Sequence, residues 1–118
     1  METTLYDRNG HPTAYIADDN ETIYLWNGHV VAYLCDDKVY GFNGQHLGWF
    51  VDGVVRDQSG AKIGFVGEKC PSVKHVSPVK SVKHVKHVKN VRHIAHIRPI
   101  LKIGYSDEDF ERFLENGA

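Results

Sequence analysis

Four glycines, Gly10, Gly28, Gly44 and Gly60, mark four copies of one pattern, and that pattern leaves few folds open to this chain. Asn9, Asn27, Asn43 or Ser59 precedes each glycine. Four residues before it stands Tyr6, Tyr24, Tyr40 or Arg56, and five before it Leu5, Ile23, Val39 or Val55. Four residues after it comes a small residue (Ala14, Ala32, Gly48, Gly64), then an aromatic (Tyr15, Tyr33, Trp49, Phe65), then an apolar residue (Ile16, Leu34, Phe50, Val66). Asn-Gly between apolar runs signals a β-hairpin, because a type I′ turn needs positive φ at both central residues. The copies are therefore read as hairpins with two-residue turns, at about 5–18, 22–37, 39–53 and 54–68. Asp18–Asn20, Asp36–Asp37 and Asp52–Gly53 turn the chain between them.

Pairing across two-residue turns sorts the side chains by face. One face receives Leu5, Ile23, Val39 and Val55, the four small residues, and the closing Ile16, Leu34, Phe50 and Val66. The other receives Tyr6, Tyr24 and Tyr40, then Thr13, Val31, Leu47 and Ile63, and the aromatic quartet. Two apolar faces exclude a solvated ribbon, so the hairpins must cover one another. A small residue at one place in every copy suits crowding about a shared axis. The expectation is an all-β body over residues 1–70: four pseudo-symmetric hairpins in a compact, flower-like arrangement.

From Val73 the period changes. Val73, Val76, Val79, Val82, Val85, Val88, Val91, Ile94, Ile97, Ile100 and Ile103 recur at every third residue without a miss. The next column is mostly cationic, with Lys80, Lys83, Lys86, Lys89 and Arg92 at its centre, and the last holds His75, His84, His87, His93 and His96. An α-helix would spread such valines around its axis, and a strand would send them to alternate faces. A 3₁₀-helix rarely runs beyond a few residues. Polyproline II, with three residues per turn, makes three stripes of the pattern. Residues 71–104 are read as a long extended or polyproline II-like strap that clasps the body, its own or a neighbour's, with valines inward.

The formal net charge of −1 is a sum of unlike pieces. Residues 1–70 carry net −5, residues 71–104 carry eight bases and no acid, and residues 105–118 carry net −4. At the end, Ser106 with Asp109 reads as a capping-box-like start, Phe110, Phe113 and Leu114 form one helical face, and Asn116-Gly117 stops the helix. This short helix over 105–118 is expected to anchor the strap. The three pieces make one structural domain.

The Tyr-x-x-Asn-Gly…Ala-Tyr-Ile repeats, the Val-Lys-x ladder and the final Gly-Tyr-Ser with its short helix together resemble the bacterial four-fold β-flower proteins. In that family the ladder reads Lys-Pro-Val, where this chain often carries histidine. The resemblance implies a fold and no activity, and it carries over no functional residue.

Catalytic motifs are missing: there is no Gly-x-Ser-x-Gly, phosphate loop, Gly-x-Gly-x-x-Gly or His-Glu-x-x-His. No enzyme and no cofactor are expected. His84, His87, His93 and His96 share a stripe and are candidate metal ligands, set against solvated or hydrogen-bonded histidines. One turn of polyproline II separates neighbours by about 9 Å, too far to share one ion without help from another segment. Cys35 and Cys70 fit no zinc or redox spacing and are read as thiols, with a disulfide as the alternative.

The reading is a non-enzymatic module that self-assembles or binds a protein partner through the strap, chiefly Val76, Val79, Val82, Val85, Val88, Val91, Ile94 and Ile97 with the cations beside them. Nucleic acid or another anionic polymer on the basic strap is a second class, and carbohydrate on the hairpin aromatics a third. No apolar run reaches the roughly 18 residues of a membrane span. The start, Met-Glu-Thr-Thr, lacks a basic-then-apolar leader, so a cytoplasmic location is expected.

Overall fold

The computed structural model describes residues 2–76, 80–83 and 89–118. Eight antiparallel strands follow one another: β1 (Thr3–Tyr6), β2 (Pro12–Ile16), β3 (Thr22–Leu25), β4 (Val30–Cys35), β5 (Lys38–Gly41), β6 (His46–Val51), β7 (Val54–Arg56) and β8 (Lys62–Val66). Each pairs with its sequence neighbours, and β8 returns to β1 through Leu5↔Val66 and Tyr6↔Phe65, closing a barrel. Closure removes the exposed edges that two-stranded ribbons would leave open.

The hairpin loops differ from the two-residue turns expected. Gly10, Gly28, Gly44 and Gly60 have φ of 86, 91, 93 and 89°, while the residues before them do not share a positive φ. In the first hairpin Gly10 N–H donates to Asp7 O (3.1 Å) and Asp7 N–H to His11 O (3.0 Å). This is a three-residue loop with a left-handed glycine, the kind that ends in a G1 bulge. The cause is side-chain chemistry: the Asn27 and Asn43 carboxamides accept the backbone N–H two residues on (3.0 Å each), a local turn that needs no positive φ at asparagine. Positive φ at both central residues occurs instead at Asp52-Gly53 (53° and 79°), between β6 and β7.

The pairing slips by one residue at Leu5/Tyr6, Ile23/Tyr24, Val39/Tyr40 and Val55/Arg56. Thr13, Val31, Leu47 and Ile63 are the extra residues of these bulges. Val31, Leu47 and Ile63 therefore join the inner cluster with Leu5, Ile23, Val39 and Val55, not the outer face assigned to them by simple alternation. Outside, Tyr15, Tyr24, Tyr33, Tyr40 and Phe42 form a second buried cluster.

The barrel is stoppered at the hairpin-turn end by α1 (Phe110–Glu115), whose Phe110, Phe113 and Leu114 are buried in the inner cluster. Its N-cap is Asp109, which accepts from Arg112 N–H at 3.0 Å; Ser106, the cap expected from the sequence, instead accepts from Glu108 N–H. A Cβ at Gly64 would run into the Phe110 ring, and one at Gly48 would touch Phe113 and overlap the Arg56 carbonyl. The two copies with glycine in place of alanine are thus the two that admit phenylalanine rings. Asn43 N–H donates to Gly117 O (3.1 Å), tying the helix end to the third hairpin.

The molecule measures 36 × 36 × 22 Å. Cys35 and Cys70 are free thiols. Among the described residues no helix is long and apolar enough to cross a membrane.

Candidate functional site

The described parts of residues 71–104 carry neither helix nor strand and run outside the barrel, past its hairpin turns in order. His75 N–H donates to Gly10 O (2.9 Å) in the first hairpin, and Ser81 N–H to Trp26 O (3.0 Å) in the second. In the third, Asn90 N–H reaches Phe42 O (2.9 Å) and His93 N–H reaches Gly44 O (2.8 Å); in the fourth, Lys102 N–H reaches Gly60 O (3.2 Å). Val73, Val91 and Ile100 carbonyls lie so close to Gly10, Gly44 and Gly60 that a Cβ there would collide with them. These glycines supply both the left-handed turn and the docking point.

The cationic column lies over the outer aromatics. Lys80 Nζ is 4.8 Å from the Tyr15 ring centre, Lys83 5.4 Å from Tyr24, Lys89 4.2 Å from Tyr33, and the Arg92 guanidinium 5.7 Å from Tyr40. Carboxylates complete the seats. Glu2 bridges Lys80 and Lys83 (2.7 Å to the latter), Glu21 holds Lys89 at 2.7 Å, and Asp37 holds Arg98 at 3.1 Å. Hydrogen bonds from Lys80 and Lys83 hold the Glu2 carboxyl below its ordinary range.

The aliphatic column faces solvent. Val73, Val76, Val82, Val91, Ile94, Ile97, Ile100 and Ile103 are 87–96% exposed, which overturns the expectation of inward valines for every one of them. Val79, Val85, Val88 and Lys86 lie outside the described residues. The reason is complementarity. A chain with three stripes can press at most two against a convex wall, and this wall offers electron-rich ring faces and turn carbonyls. Both attract cations and N–H groups.

Of the candidate metal ligands, His93 and His96 are brought to one cleft, and His84 and His87 lie outside the described residues. Among the described residues no group of three His, Cys, Asp or Glu side chains is placed to hold a metal ion. The cleft, about 760 Å³, opens between the third and fourth hairpin turns and the end of α1, and is lined by Gln45, His46, Gln58, His93, His96 and Glu108 among others.

Sequence reasoning missed His46. Only 4% exposed, it accepts His96 N–H on Nδ1 at 3.0 Å, with the His96 Nδ1 at 3.3 Å. Trp49 meets its ring edge-on at 4.6 Å between centres, and Tyr40 lies 5.2 Å away. Burial is the main force lowering its pKa below 6.5. The sequence carried no repeat signal for it, since Pro12, Val30 and Lys62 hold the equivalent place in the other copies and no two agree.

Barrel, bulges and stoppering helix run through nearly the whole chain, and so does the match to the family model of the 4-fold beta flower protein, over residues 3–114. The chain belongs to that family. No curated protein and no solved structure matches it. Among the described residues of this β-flower, the large hydrophobic side chains left in solvent are eight valines and isoleucines of residues 73–103 and Tyr105.

Proposed function

We propose that this β-flower is a non-enzymatic interaction module that assembles with further copies of itself through the aliphatic stripe of residues 73–103. The observation that carries the reading is eight described branched aliphatic side chains almost fully in solvent, five of them (Val91, Ile94, Ile97, Ile100, Ile103) at every third residue in succession. Large branched side chains held this far into solvent in one run mark an interaction site.

The strap reading fits the dimensions. Docking steps from His75 to His93 to Lys102 advance nine residues per hairpin, which in polyproline II extend about 28 Å. A quarter of the rim of a disc 36 Å across is also about 28 Å. On this reading three nine-residue steps link four pseudo-symmetric hairpins, one quarter of the rim per step.

Energetics favour a further partner. Ordering three backbone residues costs about 3–6 kcal/mol. One cation over a ring and one net hydrogen bond return about 1–3.5 kcal/mol. Covering the third residue, Val or Ile, contributes about 1.5–3 kcal/mol more and closes the difference. At that value each side chain represents roughly 60–120 Å² of apolar surface, so the run of five from Val91 to Ile103, between the third and fourth hairpins, offers about 300–600 Å² toward the roughly 800 Å² per partner of a standard interface. A second copy suits the surface because Lys80, Lys83, Lys89, Arg92 and Arg98 are engaged by rings and carboxylates of their own chain, which reduces the charge available to repel a like molecule. The same engagement disfavours phosphate binding by those cations.

Sedimentation equilibrium tests this. The full chain should sediment above its 13.4 kDa monomer mass. The double variant Ile94→Ser/Ile97→Ser should return to 13.4 kDa with an unchanged near-ultraviolet spectrum. A wild-type monomer at every concentration would sink self-assembly, and capture of another protein by the wild type alone would put a heterologous partner in its place.

A further inference from the structure

The period-three segment is held to all four hairpins by backbone N–H groups donating to carbonyls, which do not titrate. One contact differs in kind: His96 N–H donates to a side chain, the buried imidazole of His46. We infer that the His46–His96 contact is an acid-released latch, which pins the chain at His96 near neutral pH and frees that stretch when His46 gains a proton, while the Asn90 and His93 bonds to the same hairpin stay in place. The latch itself stands on this geometry, and its consequence for assembly rests on the proposed function.

The chemistry is direct. Nδ1 of His46 accepts an N–H, so that nitrogen carries no proton and the ring proton sits on Nε2. Nε2 is sealed from solvent without a well-formed hydrogen bond. Protonation puts a second N–H on Nδ1, facing the His96 amide donor and, at 3.3 Å, the His96 ring. An acceptor becomes a donor, the bond is lost, and a buried cation is left against the edge of Trp49 and the ring of Tyr40.

The charged groups around His46 divide unequally. His96 on the strap and Lys38 on β5 oppose its protonation, while Asp37 and the Gly48 carbonyl favour it. Desolvation exceeds all of them, so the folded pKa lies below 6.5. Because the folded value is depressed, the stabilisation is complete above pH 6.5 and is lost as pH falls through the folded value. The cleft beside the latch also contains His93 and Glu108, so release would widen an opening that already exists.

Amide hydrogen exchange read by NMR on the full chain tests the latch, with the Asn90 and Lys102 amides as internal references because they donate to carbonyls. The protection factor of the His96 amide, followed from pH 7.5 downward through the acid range in which the fold persists, should fall at least tenfold while the references hold. His46→Asn places a non-titrating acceptor near Nδ1 and should keep His96 protected across that range. His46→Phe should leave it unprotected throughout. A His96 protection factor that tracks the references in the wild type overturns the latch, whatever the variants do. Sedimentation of the same wild-type samples separates the two readings: loss of His96 protection with unchanged mass keeps the latch and overturns its link to assembly.

Discussion

The ring of Phe110 lies where a side chain at Gly64 would stand. That single relationship couples the fourth hairpin to the C-terminal helix, and so couples a residue of the repeat to the stopper of the barrel. Gly48 has the same relation to Phe113.

Enlarging the fourth small position should therefore unseat the helix. Gly64→Ala is expected to lower stability by about 1–3 kcal/mol through overpacking. Urea denaturation should show this as a lower midpoint. Phe110→Ala opens the complementary void and should cost about 3–5 kcal/mol. The double variant should be less unstable than the sum, because the new methyl group partly fills the space the ring vacates.

Gly44 should be intolerant for two reasons at once. Its φ of 93° disfavours any Cβ, and the Val91 carbonyl occupies the space that Cβ would take. Gly44→Ala should cost about 1–3 kcal/mol for the backbone conformation alone. Limited proteolysis should cut within residues 89–103 faster than in the wild type. Gly104→Ala, with nothing within 4 Å of its Cβ, is the control and should stay within about 0.5 kcal/mol of wild type.

Lys89 joins the strap to both the Tyr33 ring at 4.2 Å and Glu21 at 2.7 Å. Lys89→Met retains the stem and removes the charge. The expected loss is about 0.5–1 kcal/mol by denaturant titration, the range for a cation–π contact at an exposed site. A double-mutant cycle with Tyr33→Leu should give a coupling of similar size; zero coupling would show that the ring and the cation act independently.

Acid should loosen the Glu2 bridge. Hydrogen bonds from Lys80 and then Lys83 hold the folded carboxyl below its ordinary 4.5. Its stabilisation is therefore present above pH 4.5 and lost as pH falls through the depressed folded value. Melting temperature plotted against pH should drop more steeply below 4.5 in the wild type than in Glu2→Gln. Parallel curves would show that the bridge adds nothing in solution.

Much of the barrel was legible because its signals are local. Gly10, Gly28, Gly44 and Gly60 require positive φ wherever the chain goes, and the residues around them alternate as strands do. The inward side of Val31, Leu47 and Ile63 was not legible, because a bulge shifts pairing by one residue and simple alternation cannot register it. His46 was not legible either, because the four copies share no residue type at its place. Its meaning depends on His96, fifty residues away.

The period of three sorts residues 73–103 into an aliphatic, a cationic and a histidine-rich column. It cannot settle which stripe meets the barrel. That phase depends on the wall, which exists only after four hairpins close and turn Tyr15, Tyr24, Tyr33 and Tyr40 outward together. Ring faces and turn carbonyls then take the cations and the N–H groups, and the valines, which attract neither, are left in solvent.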